Sequence, residues 1–176
     1  ENVTAYNIAY KYFNILNMAM MIIVTPFWSA CADAYTKKDF LWMKNVIEKM
    51  EMIWKLSICV LIIMILVSST FYDIWVGDSV KISLSLSVMV GVYILVQNLC
   101  GIYIYMINGT SKIRLQLVVY LVSAFISVPT MYFLCSKYGI TVMLLVPISV
   151  CLIQAFVAKK QLTKIIRGTA SGIWIK

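Results

Sequence analysis

Asn7, Lys11, Asn14 and Asn17 follow one another at intervals of four, three and three residues. At about 100° per residue they share one helical face, which Thr25 and Ser29 extend. Carboxamides, hydroxyls and one ammonium can hold sugar hydroxyls or phosphate oxygens by hydrogen bonds. A second set, Tyr93, Gln97, Gly101 and Asn108 with Tyr105 at its edge, shares another face. Tyrosine and amide side chains suit carbohydrate, because they join flat apolar surface to hydrogen-bonding groups. The chemistry these residues offer is binding, in a hydrophilic cavity lined by Asn7, Lys11, Asn14, Asn17, Thr25, Tyr93, Gln97 and Asn108. Two blander explanations compete: interhelical hydrogen bonds with Lys11 reaching the outer interface for the first set, and close helix packing through Gly101 for the second.

Covalent and acid–base chemistry have little to work with. The chain has no His, and no nucleophile elbow, phosphate loop, metal-ligand cluster or paired-carboxylate spacing is present. Asp33, Asp39, Glu48, Glu51, Asp73 and Asp78 all fall at the ends of apolar runs or between them. Carboxylates inside such runs would have marked a proton or cation relay. The five cysteines, Cys31, Cys59, Cys100, Cys135 and Cys151, lack CxxC spacing and read as small apolar residues. We therefore expect no enzyme, no catalytic residue, no metal and no cofactor.

The elements that must position these faces are long and apolar. Of the 176 residues 62% are hydrophobic and 12% charged, with a mean hydropathy of +0.92. A membrane span needs roughly 20 mostly apolar residues. Five segments qualify, at about 6–28, 53–72, 82–107, 115–135 and 139–158, and they leave no room for a soluble domain. The expected fold is an all-α integral membrane bundle of five transmembrane helices. Pro26, Pro129 and Pro147 fall in these spans, where membrane helices tolerate kinks. Trp28, Trp54, Tyr72, Trp75 and Tyr138 fall near span ends, where amphipathic rings prefer the headgroup region.

The net charge of +8 belongs to the connections, so it orients a membrane protein rather than marking a nucleic-acid surface. Lys37, Lys38, Lys44 and Lys49 follow the first span, Lys112 and Arg114 the third, and Lys159, Lys160, Lys164, Arg167 and Lys176 the fifth. The alternate side holds Lys11, Lys81 and Lys137. The positive-inside rule then places the first set, and the C-terminus, in the cytoplasm. An odd number of spans and a start at Glu1, without Met or leader, suggest a piece of a longer chain.

Between the first two spans, residues 36–50 are amphipathic. Phe40, Met43, Ile47 and Met50 share a helical face, and Thr36 and Asp39 have capping-box spacing. The stretch reads either as a helix lying on the inner membrane surface or as a cytoplasmic extension of the second span.

Several short stretches resemble a known family. Val3-Thr4-Ala5-Tyr6-Asn7-Ile8-Ala9-Tyr10-Lys11-Tyr12-Phe13, then Pro26-Phe27-Trp28-Ser29-Ala30 and Asp33-Ala34-Tyr35, resemble the start of the second helical lobe in O-antigen and capsule repeat-unit flippases. These belong to the multidrug, oligosaccharidyl-lipid and polysaccharide exporter superfamily. Ile74-Trp75-Val76-Gly77 and Ile107-Asn108-Gly109-Thr110-Ser111-Lys112-Ile113-Arg114-Leu115-Gln116 look similar in the same order. The resemblance implies part of one lobe of a two-lobe transporter in the bacterial inner membrane. It implies an N-terminal lobe of the same protein, a polyprenyl-diphosphate-linked oligosaccharide as substrate, and membrane lipids and polysaccharide polymerase machinery as neighbours. Lys11, the one cation on the polar face, is the candidate contact to diphosphate. No nucleic-acid partner is expected.

Two other functions fit the same composition. A multidrug or organic-cation exporter of that superfamily would be favoured by a carboxylate embedded in a span. A non-transporting membrane scaffold subunit would consume its polar faces in helix packing and leave no open cavity.

Overall fold

The computed structural model describes residues 2–77 and 80–175. Asp78 and Lys176, counted above among the acids and the tail cations, lie outside the described residues. The described residues are mostly helical, with no strand: α1 (Asn2–Thr36), α2 (Phe40–Trp75), α3 (Leu84–Thr110), α4 (Arg114–Tyr138), α5 (Ile140–Met143) and α6 (Leu145–Ile166), then a short 3-10 helix, Gly172–Trp174. Five helices are long and apolar enough to cross a membrane, α5 and α6 together making one of them.

The prolines are handled in two ways. Pro26 and Pro129 sit inside unbroken helices. Beside them the hydroxyls of Ser29 and Thr130 donate to carbonyls of their own helices. Pro147 has no N–H for the Met143 carbonyl four residues earlier, and the ladder is interrupted there, between α5 and α6.

The 36–50 stretch is not a separate surface helix. Residues 40–75 form one helix without an internal Gly or Pro. Its N-cap is Asp39, whose carboxylate accepts from the Trp42 N–H at 3.0 Å. Thr36 instead bonds back to Ala32 and Asp33 within α1. The apolar face of the stretch packs into protein: Met43, Val46, Ile47 and Met50 are buried in one core cluster with residues of α1, α3 and α6.

Contacts fix the directions of the helices. Phe13 meets Gly91 and Cys31 meets Gly109, so α1 and α3 run parallel with a constant offset of 78 positions. Tyr12 with Met64, Glu51 with Tyr103 and Tyr72 with Ser87 make α2 antiparallel to both. Gly91 and Gly109 lie five helical turns apart on one face of α3. A Cβ on Gly109 would stand 2.9 Å from both the Cys31 Cβ and the Trp28 carbonyl oxygen. Gly109 lets the α1 and α3 backbones approach, as small residues do where lipid tails remove the usual hydrophobic drive for association, whereas a Cβ on Gly91 would meet the Leu61 side chain of α2 at 2.8 Å.

Aromatic donors fasten α2. The Tyr12 hydroxyl donates to the Met64 carbonyl at 3.0 Å, and the Trp54 indole to the Leu95 carbonyl at 2.8 Å. Trp54 and Tyr72 therefore work inside the bundle instead of in an interfacial belt; Trp28, Trp75 and Tyr138 remain exposed. Two apolar clusters result. One joins Met20, Met43, Met106 and Leu162; the other joins Phe13, Leu61, Val90 and Leu144. In contrast, no residue of α4 is buried.

Candidate functional site

Halfway along α1 and α3, between the two apolar clusters, the packing opens into a cavity of about 360 Å³. Asn17 enters it from α1, Tyr93, Gln97, Asn98 and Gly101 from α3, Tyr120 from α4 and Cys151 from α6. No charged residue lines it. A Cβ placed on Gly101 would meet nothing within 4 Å, so this glycine widens the cavity and does not mediate helix packing.

The amides facing this space are under-used. Gln97 Oε1 and both side-chain polar atoms of Asn98 are buried without a hydrogen-bond partner among the described residues. An amide left so costs about 1–3 kcal/mol per group, which a ligand hydroxyl or water would recover. Amides and tyrosines around a mid-span cavity can donate to and accept from a polar, uncharged solute.

The expected residues divide. Asn17, Tyr93 and Gln97 line the cavity; Asn14 is not among the lining residues, and its Oδ1 accepts from the Asn17 Nδ2 at 3.0 Å. Asn7, Lys11 and Thr25 do not line it; they form an exposed stripe along α1. Thr25 donates to the Met21 carbonyl of its own helix. The stripe is thus not consumed by interhelical bonds among the described residues. It also leaves Lys11 outside the cavity, so this cavity has no cation for a diphosphate.

Asn108 is excluded as well. It lies within α3, next to the tightly packed Gly109, and its Asn-Gly pair forms no turn. The chain reverses instead at Ser111, whose φ of 60° ends α3. Sequence reasoning missed Asn98 and Tyr120. Asn98 could have been found as half of an adjacent amide pair in an apolar helix, whereas nothing in α4 distinguishes Tyr120 from the other exposed aromatics.

A second polar cluster lies nearer the basic end. Glu51 of α2 accepts from the Tyr103 hydroxyl at 2.7 Å and pairs with the Lys159 ammonium at 2.9 Å. The Lys159 ammonium also stands 5.5 Å from the centre of the Tyr103 ring. The carboxylate side chain is 22% exposed and the lysine 56%. This triad ties α2, α3 and α6 together and uses its own charges internally.

No family model, curated protein or solved structure matches the chain.

Proposed function

We propose that this chain is part of the second lobe of a flippase that carries polyprenyl-diphosphate-linked oligosaccharide across the bacterial inner membrane for polysaccharide biosynthesis. The observation that carries the reading is the mid-span cavity, where Gln97 and Asn98 present unpartnered amide atoms beside Tyr93 and Asn17. The short stretches that resemble repeat-unit flippases point the same way. The Asn14–Asn17 hydrogen bond lies between the cavity and the exposed polar residues Lys11 and Asn7 of α1. Asn7, Lys11 and Thr25 would be costly against lipid, and a facing lobe would enclose them in an aqueous path. Two lobes rocking about a midplane site would then expose sugars to each side in turn. In this reading the basic helix ends and the C-terminus face the cytoplasm, and the diphosphate is held by cations of the facing lobe or by Lys11.

An organic-cation exporter is less well supported, because no carboxylate lines the cavity and Glu51 is held by Lys159 and Tyr103. The test uses the full-length protein in proteoliposomes containing a polyprenyl-diphosphate oligosaccharide, with translocation read as access of the sugar to an added lectin. Gln97→Ala with Asn98→Ala should reduce translocation about tenfold or more, the loss of two hydrogen bonds to substrate. Full translocation by that variant, or none by the parent, would reject the reading.

A further inference from the structure

The outward face of α6 changes character along its length. Leu152, Ile153 and Phe156 are exposed, Phe156 to 69%. One to three turns further, Lys160, Lys164 and Arg167 occupy the same side of the helix. Ala155, Ala158 and Leu162, which are buried, lie on the opposite side with Cys151 of the mid-span cavity. The stripe is therefore separate from the polar cavity.

Three features make the cationic half a built site. Lys160, Lys164 and Arg167 form no ion pair among the described residues, in contrast to Lys37, Lys44 and Lys159, which do. Trp174 of the terminal 3-10 helix folds back over the two lysines, its ring centre 4.1 Å from the Lys164 ammonium and 6.0 Å from that of Lys160. This placement is fixed by Gln161, whose Nε2 donates to the Trp174 carbonyl at 3.1 Å and to the Lys112 carbonyl at 2.9 Å. The three cations, Phe156, Thr163, Thr169 and the Glu51-paired Lys159 surround a cavity of about 500 Å³.

We propose that this stripe binds an anionic phospholipid, with its phosphate among Lys160, Lys164 and Arg167 and an acyl chain along Phe156, Ile153 and Leu152. From Phe156 to Lys164 the helix rises about 12 Å, which suits the step from hydrocarbon to headgroup. Basic residues immediately beyond a span attract anionic headgroups, and an indole ring settles at that depth. A free phosphate would satisfy the cations but has no use for the apolar half of the stripe. The site goes beyond the transport reading and does not depend on it.

The full chain, purified in a neutral detergent, is titrated separately with phosphatidylglycerol and phosphatidylcholine, and bound lipid is counted by native mass spectrometry. Phosphatidylglycerol should be retained preferentially. Lys160→Gln, Lys164→Gln and Arg167→Gln together should weaken its retention about a hundredfold, at roughly fivefold for each cation removed. Replacing both lysines by Arg should preserve it, as should replacing Lys81 and Lys137 by Gln. Equal retention of the two lipids by the parent chain would overturn the proposal. So would unchanged retention in the triple variant, or equal loss in the control at the other end. Displacement by inorganic phosphate at constant ionic strength would make this a free-anion site instead. Displacement by a substoichiometric amount of polyprenyl diphosphate would assign it to the transport substrate.

Discussion

Lys38 and Gly168 occupy the same place in two copies of one helix ending. After α1, the Asp39 N–H bonds to the Ala34 carbonyl and Lys38 N–H to Tyr35; after α6, Thr169 bonds to Lys164 and Gly168 to Ile165. Both endings need a left-handed residue, φ 60° at Lys38 and 69° at Gly168. Only glycine takes that conformation without a Cβ penalty. Lys38→Gly should therefore stabilise the chain by about 0.5–1 kcal/mol after the greater entropy of unfolded glycine is allowed for, seen as a higher melting temperature in detergent. A second pair of residues separates packing from cavity. Gly109→Ala forces its new methyl against the Trp28 carbonyl and should destabilise by about 1–3 kcal/mol. Gly101→Ala, with open space around it, should instead raise the melting temperature, by about 0.5–1 kcal/mol of helix preference. The sequence could not tell these glycines apart, since each is a small residue in the same apolar helix; only the position of α1 distinguishes them. For the same reason Asn17, Tyr93 and Gln97 were legible from their spacing, while the placement of Lys11 and Asn108 outside the cavity was not.

Among the helices, the clearest divergence is α2. The periodicity of Phe40, Met43, Ile47 and Met50 shows that one face is buried, but not whether lipid or protein buries it. The signal that decides continuity is the lack of any Gly or Pro between residues 40 and 75, which leaves nothing to stop the helix. Because Met43 and Ile47 pack against other helices, changing both to Ser should lower the melting temperature of the whole bundle. Each loss is worth about 1.5–3 kcal/mol. A variant that became protease-sensitive only between residues 36 and 50, with global melting unchanged, would contradict this packing. The spans themselves were readable from composition, since few other segments of such length and apolarity have a place to go. Their ends were not: α1 and α2 run to 35 and 36 residues, well past the apolar stretches, because they continue to pack on each other and on α3 after the hydrophobic signal fades.

For the molecule as a whole, the alternating helix directions gather Lys37, Lys38, Lys112, Arg114, Lys160, Lys164 and Arg167 at one end. Single cysteines at Lys38, Ser111 and Thr169, in a chain whose native cysteines are replaced by Ala, should be labelled by an impermeant maleimide only from the cytoplasm. Cysteines at Gly77 and Gly139 should be labelled only from outside; the reverse pattern would refute the orientation. One helix stands apart in this arrangement. α4 has a mean hydropathy of 2.0 over its most apolar window, comparable to its neighbours, yet none of its residues is fully buried. Partitioning alone can carry such a helix into the bilayer, while the chain holds it mainly through α5, α6 and the terminal 3-10 helix. Much of its apolar surface is left open to lipid or to a helix from elsewhere.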